Sequence, residues 1–258
     1  MISFIIPLSK NRSYLLSGCL YNLEKLYESI PYEILIIELD EHEPFKLGQV
    51  RNVGYKKSVG DIVVFIDVDI RIPNFIDFYG SLKTMGPFIA WNMISNVNEI
   101  SPGVFEVLDR RKRLGHGGCL AFYRDQFEFS GGHSNLLIGW GFEDEILAMR
   151  WCFANWALGV RRPLLRLIND LYHVQHPIQQ SAYGKDNEAS KFNSEMCHTD
   201  MKRDRNKDSF IQTIWDDVSS IEYSPNVRHH FIKNIRVPDN FEYLYLYNKC
   251  KLSRRHCE

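Results

Sequence analysis

The first seventy residues alternate between two textures. Ile2 to Pro7 (ISFIIP) is a short β-branched, apolar run bounded by proline, which predicts a buried strand. From Ser13 to Ser29 the apolar residues Leu15, Leu16, Cys19, Leu20, Leu23, Leu26 and Tyr27 recur at helical spacing. Tyr32 to Leu39 (YEILIIEL) predicts a second strand and Ile62 to Val68 (IVVFIDV) a third. Between them Val50 to Ser58 has a helical pattern, with Gly60 as its stop. Strands that are apolar throughout and alternate with helices predict an α/β fold: a mostly parallel central sheet covered by helices on both faces, with right-handed crossovers.

The middle of the chain is less regular. A short helix is expected over Phe75 to Lys83, strands over Pro87 to Asn92 and Val104 to Leu108, and a helix over Glu143 to Leu158. Residues 181–208 are polar with charges of both signs, a loop or a surface helix, and Phe241 to Tyr247 (FEYLYLY) has the alternation of a late strand.

Charge narrows the functional classes. Lys plus Arg is 31 and Asp plus Glu is 32 in 258 residues, a net charge of −1, which argues against nucleic acid bound through bulk charge. The basic run Arg110 to Arg113 reads as a solvated loop or as a contact for phosphate or an acidic surface. The six cysteines, Cys19, Cys119, Cys152, Cys197, Cys250 and Cys257, form no CxxC or CxC pair, so zinc-ribbon and thioredoxin readings are poor. The first residues lack a basic segment followed by a long apolar one, and no stretch approaches 18 apolar residues. The expectation is a reduced, cytoplasmic protein, with peripheral contact at the inner face of a membrane left open.

Three motifs carry chemistry. Asp67-Val68-Asp69 closes the most apolar strand, and ligands of open α/β sheets bind beyond the carboxyl ends of strands. Strand alternation would point both carboxylates one way, where they repel unless a cation lies between them. Hard oxygen ligands suit Mg²⁺ or Mn²⁺; a turn with solvated or capping Asp residues is the plainer alternative. Gly139-Trp140-Gly141-Phe142-Glu143-Asp144 sets a Trp between glycines, before two acids at a helix start. The Trp face suits a sugar ring and an acid beside it suits a general base, while a helix cap with a packed Trp explains the same residues. His173 and His176 lie three apart before Pro177, either as metal ligands or as an ordinary loop.

Taken in order, these motifs resemble the metal-dependent glycosyltransferases of the GT-A fold, most closely the β-1,4-galactosyltransferase group and related bacterial polysaccharide transferases. Ile5-Ile6-Pro7 with Asn11-Arg12 resembles that family's opening strand and its loop under the nucleotide. Phe45 to Tyr55 resembles its Phe-Asn-Arg-Ala…Asn-Val-Gly-Phe segment, with Asn52, Val53 and Gly54 matching directly. His116-Gly117-Gly118 through Phe127 resembles its Gly-Gly strand, and Gly139 to Asp144 is close to Gly-Trp-Gly-Gly-Glu-Asp. The resemblance covers roughly residues 2–176.

The resemblance implies a transfer of a hexose or N-acetylhexosamine from a UDP-sugar to a hydroxyl of a glycan or lipid-linked glycan, with inversion, as in bacterial surface polysaccharide synthesis. It implies Mn²⁺ or Mg²⁺ held by Asp69, Asp67 and His173, and a nucleotide near Pro7, Arg12, Glu38, Arg51, Asn52, Asp67 and Val68. Asp144 would be the general base with Glu143 beside it on the acceptor, and Trp140, Gly141, Gly118 and Gly115 would line the sugar sites. Residues 1–180 would form the catalytic domain, 1–115 for donor and metal and 116–180 for acceptor, with 181–258 as an extension packed on it. Three departures matter. Asp170 stands where the family often has Met, a harder ligand that favours Mg²⁺. Leu47 replaces an Arg, a lost diphosphate contact that Arg51 could supply. Gly115 replaces a Tyr of galactose-specific members, leaving room for an N-acetyl group. A nucleotidyltransferase is the rival enzyme, disfavoured because Pro7 to Arg12 has no glycine; an inactive sugar-binding scaffold is the rival without chemistry.

Overall fold

In the computed structural model, the described residues are 1–38, 46–85, 88–89, 92–109, 113–115, 117–135, 137–139, 141–144, 146–148, 150–151, 170–177, 191 and 226–231. The main sheet is built first. β1 (Ile2–Leu8) pairs in parallel with β2 (Tyr32–Glu38) on one side and β3 (Ile62–Ile66) on the other. β9 (Cys119–Tyr123) runs antiparallel to β3, β5 (Phe88–Ile89) antiparallel to β9, and β11 (Asn226–Phe231) antiparallel to β2. The order is therefore β11-β2-β1-β3-β9-β5, with its parallel centre at β2-β1-β3. β11 lies within the range expected as an extension and closes an edge of this sheet. The strand expected over 241–247 lies outside the described residues.

Both faces of the sheet are covered, as uniformly apolar strands require. Ile2, Phe4, Ile6 and Leu8 face one cluster, packed with Cys19, Leu23 and Tyr27 of α1 (Leu16–Tyr27) and Phe78 and Leu82 of α3 (Phe78–Met85). Ile5, Leu35, Ile37, Val63 and Phe65 face the other, packed with Val50 and Val53 of α2 (Leu47–Lys57), Phe127 of α4 (Arg124–Phe129) and Trp151. Each fully buried Ile, Leu or Phe contributes about 1.5–3 kcal/mol relative to exposure, so this core holds the strand ends rigidly.

A second sheet begins just past the end of β3; the strand expected over Val104 to Leu108 belongs to it, while its other strands were not anticipated. Its order is β4 (Ile70–Arg71), β10 (Asp170–Val174), β6 (Asn92–Ser101) and β7 (Val104–Val107), with β8 (Arg113–Gly115) on β6. β10 pairs antiparallel with β4 and parallel with β6. No helix among the described residues is long and apolar enough to cross a membrane.

Candidate active site

The site forms where β3 ends. The strand stops at Ile66, and residues 67–69 are a turn in which the Ile70 amide donates to the Asp67 carbonyl at 2.9 Å. Strand alternation therefore does not apply, and the two carboxylates part. Asp69 is buried at 4% exposure, and its Oδ2 accepts from Arg12 Nη1 at 2.7 Å, with His176 Nε2 at 3.0 Å and His173 Nε2 at 3.7 Å. Asp67 turns the other way, its Oδ1 accepting from Arg51 Nη2 at 2.9 Å. This corrects the expectation that both would hold one ion.

Among the described residues, Asp69, His173 and His176 bring one ligand atom each to within 4.8 Å of one another. Their outer contacts suit a cation. His173 Nδ1 lies 3.2 Å from Asn96 Oδ1, and His176 Nδ1 lies 3.2 Å from the Pro177 carbonyl. In the tautomer protonated at Nδ1, each ring donates outward and leaves its Nε2 lone pair aimed at Asp69, the usual arrangement of metal-ligating histidines. Burial alone raises the pKa of Asp69; the two imidazoles and Arg12 outweigh it and hold the carboxyl well below the ordinary range. When Nε2 instead carries a proton, its hydrogen bond to Asp69 raises the pKa of His176, so a cation bound there would take that proton's place. Asp170 opens β10 exposed to solvent and is outside this group, so the oxygen ligand expected from it is replaced by a second imidazole.

The second cluster centres on Arg51. Its side chain is fully buried, with Nη1 donating to Asp144 Oδ1 at 3.0 Å and Nη2 to Asp67. Burial works against its charge, and Asp67 and Asp144 more than restore it, so the pKa lies above the usual value. Arg51 is thus an internal cation between two carboxylates, not the diphosphate contact expected of it. Glu143 and Asp144 begin the helical residues at 143–144, 146–148 and 150–151. The Gly141 amide donates to Glu143 Oε2 at 2.7 Å. Burial first, then repulsion from Asp144, pushes Glu143 up to about 8 against the pull of Arg51.

The approach to these acids is made of left-handed backbone. Gly117 and Gly118 have φ of 76° and 74°, Gly139 and Gly141 of 74° and 106°, and Phe142 of 68°. The carboxylate of Asp144 occupies the space a Cβ at Gly117 would need, which excludes any side chain there. The Gly118 carbonyl accepts from the Asp67 amide at 2.9 Å, tying this glycine pair to the Asp67 turn.

The other expected residues are placed as follows. Pro7 is buried opposite Ile37, and Glu38 ends β2 half-buried, both at the carboxyl edge of the parallel strands. Val68 packs in the core, so it can offer a nucleotide only backbone. Asn52 does not present its amide to the cleft: Nδ2 donates to the His133 carbonyl and Asn135 Oδ1, and Oδ1 accepts from the His133 amide. Gly115 ends β8 opposite Asn92. Trp140 lies outside the described residues. Sequence reasoning left His176 open; its signal was the three-residue spacing from His173, just past the end of β10.

A family model described as the N-terminal domain of galactosyltransferase matches residues 110–177, which include Gly117, Glu143, Asp144, His173 and His176. The chain is 32% identical over 181 residues to a β-N-acetyl-D-glucosaminide β-1,4-N-acetylglucosaminyltransferase of Lymnaea stagnalis, covering 67% of this chain and 33% of that protein. It is 26% identical over 158 residues to human β-1,4-galactosyltransferase 4, covering 58% of this chain and 42% of the relative. The chain thus spans well under half the length of these relatives. Among solved structures, the catalytic domain of Drosophila β1,4-galactosyltransferase 7 with xylobiose superposes with a TM-score of 0.52 at 17% identity, over 75% of this chain and 79% of that one. Staphylococcus aureus TarS 1-349 with UDP-GlcNAc gives 0.53 at 15% identity, over 84% and 71%. Fold and motif order define the chain as one of the GT-A glycosyltransferase class, similar to the β-1,4-galactosyltransferase group.

Proposed function

We propose that the protein is a metal-dependent, inverting glycosyltransferase that moves an N-acetylhexosamine or hexose from a UDP-sugar to a glycan hydroxyl. The observation that carries this reading is the convergence of Asp69, His173 and His176 beside a separate acidic pair, Glu143 and Asp144. One carboxylate and two imidazoles suit Mn²⁺ better than Mg²⁺, which prefers oxygen. Bound there, the cation supplies neutralisation of charge on the leaving diphosphate. Arg12, already beside Asp69, adds a positive charge on the same side. Asp144, paired with Arg51 through Oδ1, accepts the acceptor's hydroxyl proton. As it does so, the acceptor oxygen bonds to the anomeric carbon and the bond to UDP breaks, UDP leaving with the electron pair. Burial and repulsion from Asp144 favour the protonated form of Glu143, which limits the negative charge in the cleft.

The named activity of the snail relative, the UDP-GlcNAc in the TarS complex and Gly115 together support an N-acetylated donor. The acceptor named for the snail relative and the xylobiose in the fly complex support a glycan acceptor. A role in bacterial surface polysaccharide synthesis rests on the motif resemblance. The test is UDP release from UDP-Gal, UDP-GalNAc, UDP-Glc and UDP-GlcNAc with Mn²⁺, Mg²⁺ or chelator. We expect Mn²⁺-dependent release, fastest with an N-acetylated donor and lost in Asp69→Ala. Release that survives chelator, or none from any donor, sinks the proposal.

A further inference from the structure

Arg71 is fully buried, two residues from Asp69, and has no role in the chemistry above. Its guanidinium is saturated. Nη1 donates to the carbonyls of Val68 and Ile70 at 2.8 and 2.9 Å. Nη2 donates to the Leu15 carbonyl at 2.9 Å and to Glu99 Oε2 at 2.7 Å. Nε donates to both Glu99 oxygens, at 3.2 and 3.1 Å. These partners lie on three segments. Val68 and Ile70 flank Asp69. Leu15 ends the 3-10 turn Lys10–Leu15, which carries Arg12. Glu99 is on β6, which also carries Asn96, the partner of His173 Nδ1, and which pairs along β10. One fork-shaped cation therefore ties together the supports of Asp69, Arg12 and His173, with a fixed geometry that Lys cannot reproduce. Room for it is made at Gly18 of α1, where a Cβ would overlap the Glu99 carboxylate and meet Arg71 Nη2 at 2.7 Å.

We infer that Arg71 and Glu99 are the positioning pair of the metal centre, setting cation affinity by registering the Asp69 turn, the Arg12 turn and β6 against one another. The inference rests on the metal reading of Asp69, His173 and His176. Outer partners that orient metal ligands typically change affinity about 10–100-fold when altered.

The experiment is titration of the full chain with Mn²⁺, read by EPR, for the wild type, Glu99→Gln, Arg71→Lys and Gly18→Ala. Tyr27→Phe is the stability control, since it loses only the 3.2 Å bond from Tyr27 to the Ile76 carbonyl, at the far end of α1. We expect one Mn²⁺ in the wild type, a Kd raised about tenfold or more in Glu99→Gln and Arg71→Lys, and a smaller rise in Gly18→Ala. UDP release in these variants should recover with excess Mn²⁺. Tyr27→Phe should melt earlier yet keep the wild-type Kd. If Arg71→Lys does not fold, Glu99→Gln and Gly18→Ala decide. Folded variants with wild-type Kd and spectrum, or a Tyr27→Phe that weakens binding equally, overturn the inference. A wild type that binds no Mn²⁺ overturns the metal reading and takes this inference with it.

Discussion

Asp67 and Asp69 differ by two positions, yet they belong to two clusters of opposite design. Asp69 is surrounded by partners a cation can replace: Arg12 is partly exposed, and both imidazoles turn Nε2 toward it. Asp67 is fixed to Arg51, whose charge is sealed in the protein between it and Asp144. The first cluster is open to an ion; the second supplies its own. The lesson is that a carboxylate's role follows from how exposed its counter-charge is. A tight turn between β3 and β4 lets one short motif serve both.

The sharpest break of this comparison lies at Asp144, the proposed proton acceptor. Asp144→Asn removes the ionised oxygen while keeping its shape, and turnover should fall about 10²–10⁴-fold with Mn²⁺ affinity unchanged. Glu143→Gln copies the protonated form Glu143 already holds at neutral pH, so turnover there should fall much less. Steady-state UDP release with Mn²⁺ EPR on the same samples separates the two. Equal losses from both variants would move the base role away from Asp144.

Next in size is the internal cation. Arg51→Met leaves the buried Asp144 and the half-buried Asp67 facing no positive charge, and losing one member of such a network costs about 3–5 kcal/mol. Urea unfolding should show that loss. Arg12→Met, by contrast, should cost less, because Arg12 is itself partly exposed and His176 still faces the buried Asp69. Similar losses from the two variants would erase the distinction between the clusters.

Much of the main sheet's parallel centre was legible in the sequence because its strands are apolar at nearly every position, a pattern that leaves few alternatives. Of the second sheet only β7 was anticipated, since β4 has two residues and β10 mixes exposed and buried positions. Its register depends on pairings about a hundred residues apart, Arg71 with Tyr172 and Ile70 with His173. The role of Arg51 did leave a trace. Leu47, Val50, Arg51 and Gly54 fall at the spacing of one helix face, so an arginine on that face is buried and needs internal partners. The division of Asp67 from Asp69 left none, because alternation presumes a strand that in fact ends at Ile66.

The acid pair also sets a pH dependence. The pKa of Glu143 is raised from 4.5 to about 8 on folding, so the folded state holds its proton more tightly than the unfolded chain. This contribution is complete below about pH 4.5 and fades as pH rises to about 8. His176, also raised, gives a slope of the same sign, while Asp69, lowered, acts in acid with the opposite sign. Urea midpoints between pH 5 and 9 should therefore decline less steeply in Glu143→Gln than in the wild type. Parallel curves would mean that Glu143 is ionised in the fold.

The smallest expected effect concerns the backbone that delivers these acids. Phe142 has φ of 68° where glycine is the residue without a steric penalty, and its carbonyl starts the helix by accepting from the Ile146 amide at 2.9 Å. A left-handed non-glycine residue costs about 1–2 kcal/mol, and such strain persists where surrounding contacts fix it. Asn tolerates this conformation better, so Phe142→Asn should recover part of the strain while losing the packing of a half-buried ring. The two terms oppose each other, and the net change in urea stability should stay within about 1 kcal/mol. Turnover should fall more than stability if the strain holds Glu143 and Asp144 at their angle. A loss of several kcal/mol would instead mean that the ring, and not the backbone turn, anchors the acidic cluster, which would leave the open cluster around Asp69 as the better organised of the two.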